Sequence, residues 1–184
     1  MVMKKKISSR HGNGQWELYV DGACSGNPGE AGIGIVIKES GKRIKAFSKS
    51  IGEATNNIAE YLALIYALQE AIFLKAGNVK VHTDSELMVK QITGFYKIKN
   101  QILKLFFGQV QHLIEGFQHF ELHHISRTKN SEADQLAKAA ISHKIAKPRQ
   151  NFLNFGEEST AKKQVKVVAS LFENIGEESP SSVG

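Results

Sequence analysis

The sequence predicts an α/β fold on a mixed five-stranded sheet, in the order β-β-β-α-β-α-α-β-α, with helices on both faces. Three observations predict it. Three strand-like segments follow one another near the N-terminus, which favours antiparallel pairing. Strands and helix-like segments then alternate, which favours parallel additions beside the first strand. Hydrophobic residues make up 41% of the 184, enough for one packed domain.

Each element has a local reason. Trp16 to Asp21 alternates, with Trp16, Leu18 and Val20 on one side and Glu17, Tyr19 and Asp21 on the other, as in a strand. A glycine-rich turn is predicted from Gly22 to Gly29. Strands follow over Gly32–Ile37 and, after a turn at Ser40-Gly41, over Arg43–Ser50. Ile58–Leu74 is apolar on nearly every face, which predicts a helix buried on more than one side. A short strand over Val79–Thr83 ends at Asp84. Ser85–Thr93 is a short helix broken by Gly94. Gln101–Ile114 is a helix with Asn100 as its N-cap. Phe117–Ile125 is the fifth strand, and Ser131–Ile145 a last helix ended by Pro148.

The net charge is +6. The excess lies in an N-terminal arm bearing Lys4, Lys5, Lys6 and Arg10, and in the body of the chain. Residues 148–184 carry four basic against five acidic side chains. A basic balance favours polyanionic partners. No apolar run reaches the length of a membrane span, and the arm lacks the apolar stretch of a secretory signal. Cys24 is the single cysteine, so no internal disulfide can form, and a cytoplasmic setting is expected. The segment after Pro148 is expected to be a flexible tail with a short amphipathic helix over Lys162–Asn174, carrying Val165, Val168 and Phe172. It is bracketed by the repeat Asn154-Phe155-Gly156-Glu157-Glu158-Ser159 and Asn174-Ile175-Gly176-Glu177-Glu178-Ser179, too short for a solenoid.

Four carboxylates carry the functional argument. Asp21 and Asp84 end strands; Glu60 and Asp134 sit near helix starts. Each has an ordinary explanation alone: Asn57-x-x-Glu60 and Ser131-x-x-Asp134 read as capping boxes, and an Asp at a strand end can open a turn. Together they read differently. Glu60 is followed by Tyr61, Leu62, Leu64 and Ile65, so its charge is partly desolvated and costly without a partner. If Asp21 and Asp84 end adjacent strands, the like charges raise a pKa or demand a cation. All-oxygen ligands suit Mg²⁺, and no His/Cys zinc spacing is present.

The blocks Tyr19-Val20-Asp21-Gly22-Ala23-Cys24-Ser25-Gly26-Asn27-Pro28-Gly29, Thr55-Asn56-Asn57-Ile58-Ala59-Glu60, His82-Thr83-Asp84-Ser85 and Asn130-x-x-Ala133-Asp134-x-Leu136-Ala137 resemble type 1 ribonuclease H over roughly residues 15–145. The resemblance implies the ribonuclease H-like fold and hydrolysis of the RNA strand of RNA–DNA hybrids, with 5′-phosphate and 3′-hydroxyl products. It implies two Mg²⁺ ions, replaceable by Mn²⁺, held by Asp21, Glu60, Asp84 and Asp134. It assigns RNA contacts to Gly22, Cys24, Asn27, Asn57 and Glu60, and DNA-strand contacts to Thr55 and Asn56. On this reading the chain divides into the arm 1–14, a catalytic domain 15–147 and the tail 148–184. A monomer is expected, and the tail's partner is not specified.

Three departures from the family pattern stand out. Glu86 replaces a Gln beside the RNA site. The basic protrusion is missing: only Gly94–Asn100 joins two helices, leaving Lys97 and Lys99 as basic candidates for the DNA strand. The loop after the last strand is short, and Arg127 is the candidate to replace the loop histidine, since His124 still belongs to the strand. Double-stranded RNA stays open as a further substrate. A transposase or integrase reading fits the acids but not the Asp-Gly-x-x-x-Gly-Asn-Pro-Gly block. A non-catalytic hybrid-binding module would normally lack one of the four acids.

Overall fold

The computed structural model describes residues 12–142. The arm up to residue 11, the last turn predicted for the final helix and the tail 148–184 with its amphipathic segment lie outside the described residues. Ten elements follow in order: β1 Gly12–Gly26, β2 Gly29–Glu39, β3 Lys42–Ala54, α1 Asn56–Phe73, β4 Ala76–Thr83, α2 Glu86–Ile92, α3 Gln101–Ile114, β5 His119–His124, a 3-10 turn Arg127–Asn130, and α4 Ser131–Ser142. The sheet order is β3-β2-β1-β4-β5. β1, β2 and β3 pair antiparallel, whereas β4 joins β1 and β5 joins β4 in parallel. This is the mixed five-stranded sheet that the sequence predicts.

The largest difference is at β1. The segment Gly22–Gly29 is not a broad turn. Pairing with β2 continues through Asp21↔Gly34, Gly22↔Ile33 and Cys24↔Ala31 to Gly26↔Gly29, so only Asn27 and Pro28 turn the chain. Local turn chemistry is overridden by the ladder, which satisfies the main-chain donors and acceptors that face β2 along the run. At its other end β1 starts at Gly12, paired with Ala76, so residues 12–14 of the expected arm belong to the sheet.

Both faces are covered, by different means. On one face Trp16, Leu18, Val20, Ile33, Ile35, Ile37, Val79 and Val81 are buried against Tyr61, Leu64 and Leu68 of α1. Helix α1 is buried nearly all round, because α3 packs on it with Leu103 and Val110. The Tyr61 hydroxyl donates to Gln91 Oε1 at 3.0 Å, tying α1 to α2 in the interior. On the other face α4 lies on β2. A Cβ on Gly34 would stand 2.1 Å from the Ala133 carbonyl oxygen, and one on Gly32 would stand 2.6 Å from that of Ala137. Only glycine lets the helix backbone come this close.

Candidate active site

The four acids arrive from four separate places in the fold. Asp21 lies within β1. Asp84 directly follows β4, and the parallel register Tyr19↔His82 extends to bring it level with Asp21. Glu60 is in the second turn of α1. Its approach depends on Gly22, where a Cβ would stand 2.3 Å from both the Ala59 carbonyl carbon and the Glu60 nitrogen. The helix backbone thus rests on the residue next to Asp21. Asp134 is in the first turn of α4, and Gly34, which seats that helix, is the ladder partner of Asp21. Two close glycine approaches, one on each face, converge Glu60 and Asp134 on one strand position.

The electrostatics are unusual. Asp21, Glu60 and Asp134 are buried, at 4%, 6% and 8% exposure. Burial, then the charges of Asp84 and Asp134, push the Asp21 carboxyl up to about 7, against smaller opposing effects of Arg127 and the Gly22 N–H. Burial, then Asp21 and Asp84, hold Glu60 well above the ordinary carboxylate range, although Asn56 Nδ2 donates to its Oε1 at 3.3 Å. Asp134 moves the other way. Burial opposes its ionisation, but hydrogen bonds from Lys138 and Arg127 outweigh it and hold the carboxyl below its usual value. Arg127 Nη2 donates to Oδ1 and Lys138 Nζ to Oδ2, each at 2.6 Å. Asp84 Oδ1 accepts from Asn130 Nδ2 at 2.7 Å.

A cavity of about 380 Å³ opens between these elements, with Asp21, Glu60, Asp84, Cys24, Arg127 and Lys138 on its walls. Among the described residues no three acid or histidine side chains converge on one point as they stand. The reason is visible: Asp134 faces its two cations, Asp84 faces Asn130, and one Glu60 oxygen faces Asn56. The other, Glu60 Oε2, is buried with no hydrogen-bond partner. An orphaned carboxylate oxygen beside two mutually repelling acids, in an all-oxygen donor set, fits a hard divalent cation. Each acid could supply a ligand once its present partner yields.

The other predicted site residues divide. Gly22, Cys24 and Asn56 line the cavity. Cys24 Sγ is 3.9 Å from Asn56 Oδ1, and the Asn56 N–H donates to Asn27 Oδ1 at 3.2 Å, so the hairpin turn and the start of α1 form one surface. Asn56, expected on the DNA side, thus touches residues expected on the RNA side, whereas Asn57 is exposed and away from the cavity wall. Thr55 is the N-cap of α1, its Oγ1 accepting from the Ile58 N–H at 3.4 Å; the cap is not Asn57. The Ser131 capping box is also replaced, since the Asp134 oxygens are held by Arg127 and Lys138. Glu86 is exposed, and its carboxylate pairs with Lys90 at 2.6 Å, not with the cavity. Lys97 and Lys99 are exposed in the connection between α2 and α3. His124 ends β5, and Arg127 is among the residues that line the cavity.

Sequence reasoning missed two residues. Asn130, 1% exposed, bridges Asp84 and the Val20 carbonyl oxygen. Its only signal is its place in the Asn130-x-x-Ala133-Asp134 block. Lys138 has a weaker signal, the i,i+4 spacing from Asp134.

Residues 19–140 match the protein family described as Reverse transcriptase-like. The chain is 36% identical over 129 residues to ribonuclease HI of Halobacterium salinarum, covering 70% of this chain and 65% of that protein. The crystal structure of RNase H1 from the same archaeon superposes with a TM-score of 0.69 at 36% identity, covering 71% of this chain and 99% of that one. The chain belongs to the ribonuclease H family. A second solved ribonuclease H, LC11-RNase H1 from compost metagenome, was captured in complex with an RNA/DNA hybrid. It is 42% identical, with a TM-score of 0.66 and coverage of 71% of this chain and 99% of that one. The bifunctional protein Rv2228c of Mycobacterium tuberculosis is 40% identical over 126 residues, which are 67% of this chain but 35% of that protein. The chain therefore spans about two thirds of the haloarchaeal ribonuclease H and about one third of the mycobacterial protein. Among the described residues no helix is long and apolar enough to cross a membrane.

Proposed function

We propose that this ribonuclease H is an endonuclease that hydrolyses the RNA strand of RNA–DNA hybrids, leaving 5′-phosphate and 3′-hydroxyl ends, with two divalent cations, Mg²⁺ first, held by Asp21, Glu60, Asp84 and Asp134. One observation carries the reading: Asp21, Glu60 and Asp84 line one open cavity together with Gly22 and Cys24, and Asp134 of α4 is tied to Arg127 and Lys138, which line the same cavity. When bound, the cations would supply Lewis-acid activation of water and neutralise charge on the departing oxygen.

The chain's own residues supply the rest. Asp21 and Glu60, poor carboxylates by themselves in this buried setting, provide oxygens that gain from a cation more than exposed acids would. Asn130 fixes the orientation of Asp84 through its amide nitrogen and braces itself on β1 with the same group. Gly22, which has only main chain to present to the cavity, and Cys24, with the amide of Asn56 beside it, offer donors and acceptors to a 2′-hydroxyl, the group that separates RNA from DNA. Arg127 carries a permanent charge at the cavity wall, suited to a phosphate oxygen.

A cleavage panel tests this: RNA–DNA hybrid, duplex DNA, duplex RNA and single-stranded RNA, each with Mg²⁺ and with Ca²⁺. The hybrid should be cut in its RNA strand with Mg²⁺. Ca²⁺, with its longer and looser coordination, should support binding without turnover. Asp84→Asn should lose nearly all cleavage yet melt normally, because an Asn oxygen still accepts from Asn130. Substantial Mg²⁺-dependent activity in that variant would remove Asp84 from the ligand set.

A further inference from the structure

Lys138 lies one turn beyond Asp134 on α4, an acid-then-lysine spacing that on an open helix gives an ordinary surface pair of small worth. Its surroundings differ from that case. Lys138 stands on the cavity wall with Asp21, Glu60 and Asp84, while the Asp134 carboxylate is not on that wall. Both Asp134 oxygens are engaged, Oδ1 by Arg127 and Oδ2 by Lys138. The lysine side chain is 56% exposed and already on the cavity wall, so its long stem has solvent-side room to turn toward the cavity.

A divalent cation bound among the four acids needs at least one oxygen of Asp134. Two monovalent side chains already hold both, and a dication a few ångströms away repels each of them. Arg127 is a planar fork held on a 3-10 turn; Lys138 is a compact charge on a flexible stem and gives way more readily. We propose that Lys138 is a displaceable counter-ion of Asp134. It holds the acid while no divalent cation is bound, and passes to the phosphate backbone of the strand in the cleft once one binds. The phosphate half of this statement rests on the nuclease reading above. Lys138 is a positioning residue for Asp134 first and a ligand of the strand second.

Lys138→Met and Lys138→Arg test it. With Mn²⁺ alone titrated calorimetrically into protein free of nucleic acid, Lys138→Met should bind the ion more tightly, on the order of three- to tenfold, because one cation need not be expelled. Lys138→Arg should stay near wild type. In Ca²⁺, hybrid binding by Lys138→Met should show a slope of log affinity against log salt that is shallower by about one unit, the signature of one phosphate no longer neutralised, and Lys138→Arg should keep the wild-type slope. A plain helix-surface pair would lower the melting temperature slightly and leave both readouts at wild-type values. Either readout unchanged in Lys138→Met overturns the inference. If the wild-type chain binds Mn²⁺ but neither binds nor cuts hybrid, the nuclease reading and the phosphate half fall together. Wild-type cleavage with unchanged Mn²⁺ affinity in Lys138→Met overturns this inference alone.

Discussion

Asp21 sits where ionisation is most opposed. Its carboxyl is pushed up to about 7 by burial and by the charges of Asp84 and Asp134, against an ordinary value of 3.8. The sign of the consequence is fixed. Between those two values the folded chain retains a proton that the unfolded chain has lost, so without a divalent cation this residue lowers stability as pH rises from about 4 to about 7. Asp21→Asn removes the dependence. The variant should melt near wild type at pH 4.5 and above it at pH 8, and Mg²⁺ should shrink the pH 8 gap by stabilising the wild type alone. A melting difference that does not change with pH would show that Asp21 is ionised at little cost. Arg127 makes a second prediction at this scale. It carries charge at every working pH and cannot titrate as a general acid. Arg127→Ala should lower turnover by about tenfold or more, toward the 10²-fold loss typical of a removed preorganised donor, with a smaller loss of hybrid affinity. The pH–rate profile of the wild type should show no step near the histidine value of about 6.5. If His124→Ala cripples turnover while Arg127→Ala does not, the histidine has kept the loop role.

The elements show why some of the site could be read from the sequence and some could not. Helix α3 occupies the predicted Gln101–Ile114, with Asn100 Oδ1 accepting from the Leu103 N–H, because cap and apolar period both lie in the local sequence. The acids are legible only in combination: each alone passes as a cap or turn residue, but four of them in four ordered blocks, one leading into an apolar run, do not. The close-packed glycines are different. Gly22 reads as a turn glycine and Gly34 as a weak strand residue, yet each is required by a helix that arrives from elsewhere in the chain. Asn130 acts on Val20, 110 positions away, so its role exists only after β1 and the 3-10 turn meet. Lys138 is hidden in the same way, since its spacing from Asp134 is that of any helix-surface pair. Gly34→Ala tests the packing account. Its methyl would stand 2.1 Å from the Ala133 oxygen, so α4 must shift. The variant should lose about 1–3 kcal/mol of stability, the usual range for an overpacked interior. It should also lose cleavage beyond what its folded fraction explains, because Asp134 moves with the helix. Full activity in the folded fraction would mean that α4 tolerates displacement without misplacing the acid.

The whole molecule raises the question of how much chain the chemistry needs. Every candidate site residue lies between Asp21 and Lys138, inside the family match over residues 19–140, and α4 is described to Ser142. Among the described residues α1 and α3 cover one face of the sheet and α4 lies on β2 on the other, and these elements seat the acids. Residues 148–184 carry none of the four acids, and their charge is nearly balanced, so they add little to attraction for a polyanion. The basic excess instead belongs to the first ten residues and to the body. Deleting residues 148–184 should therefore leave a cooperative melt and hybrid cleavage with kcat within about threefold of the full chain, as expected when no core or site residue is removed. Removing residues 1–10 should act differently, weakening hybrid affinity and flattening its salt dependence by up to about one unit for each phosphate no longer neutralised, with kcat at saturation preserved. Paired titrations of the two truncations against salt separate these effects. Loss of the cooperative melt on deleting residues 148–184 would mean that the tail packs into the catalytic domain and that the boundary at Pro148 is wrong.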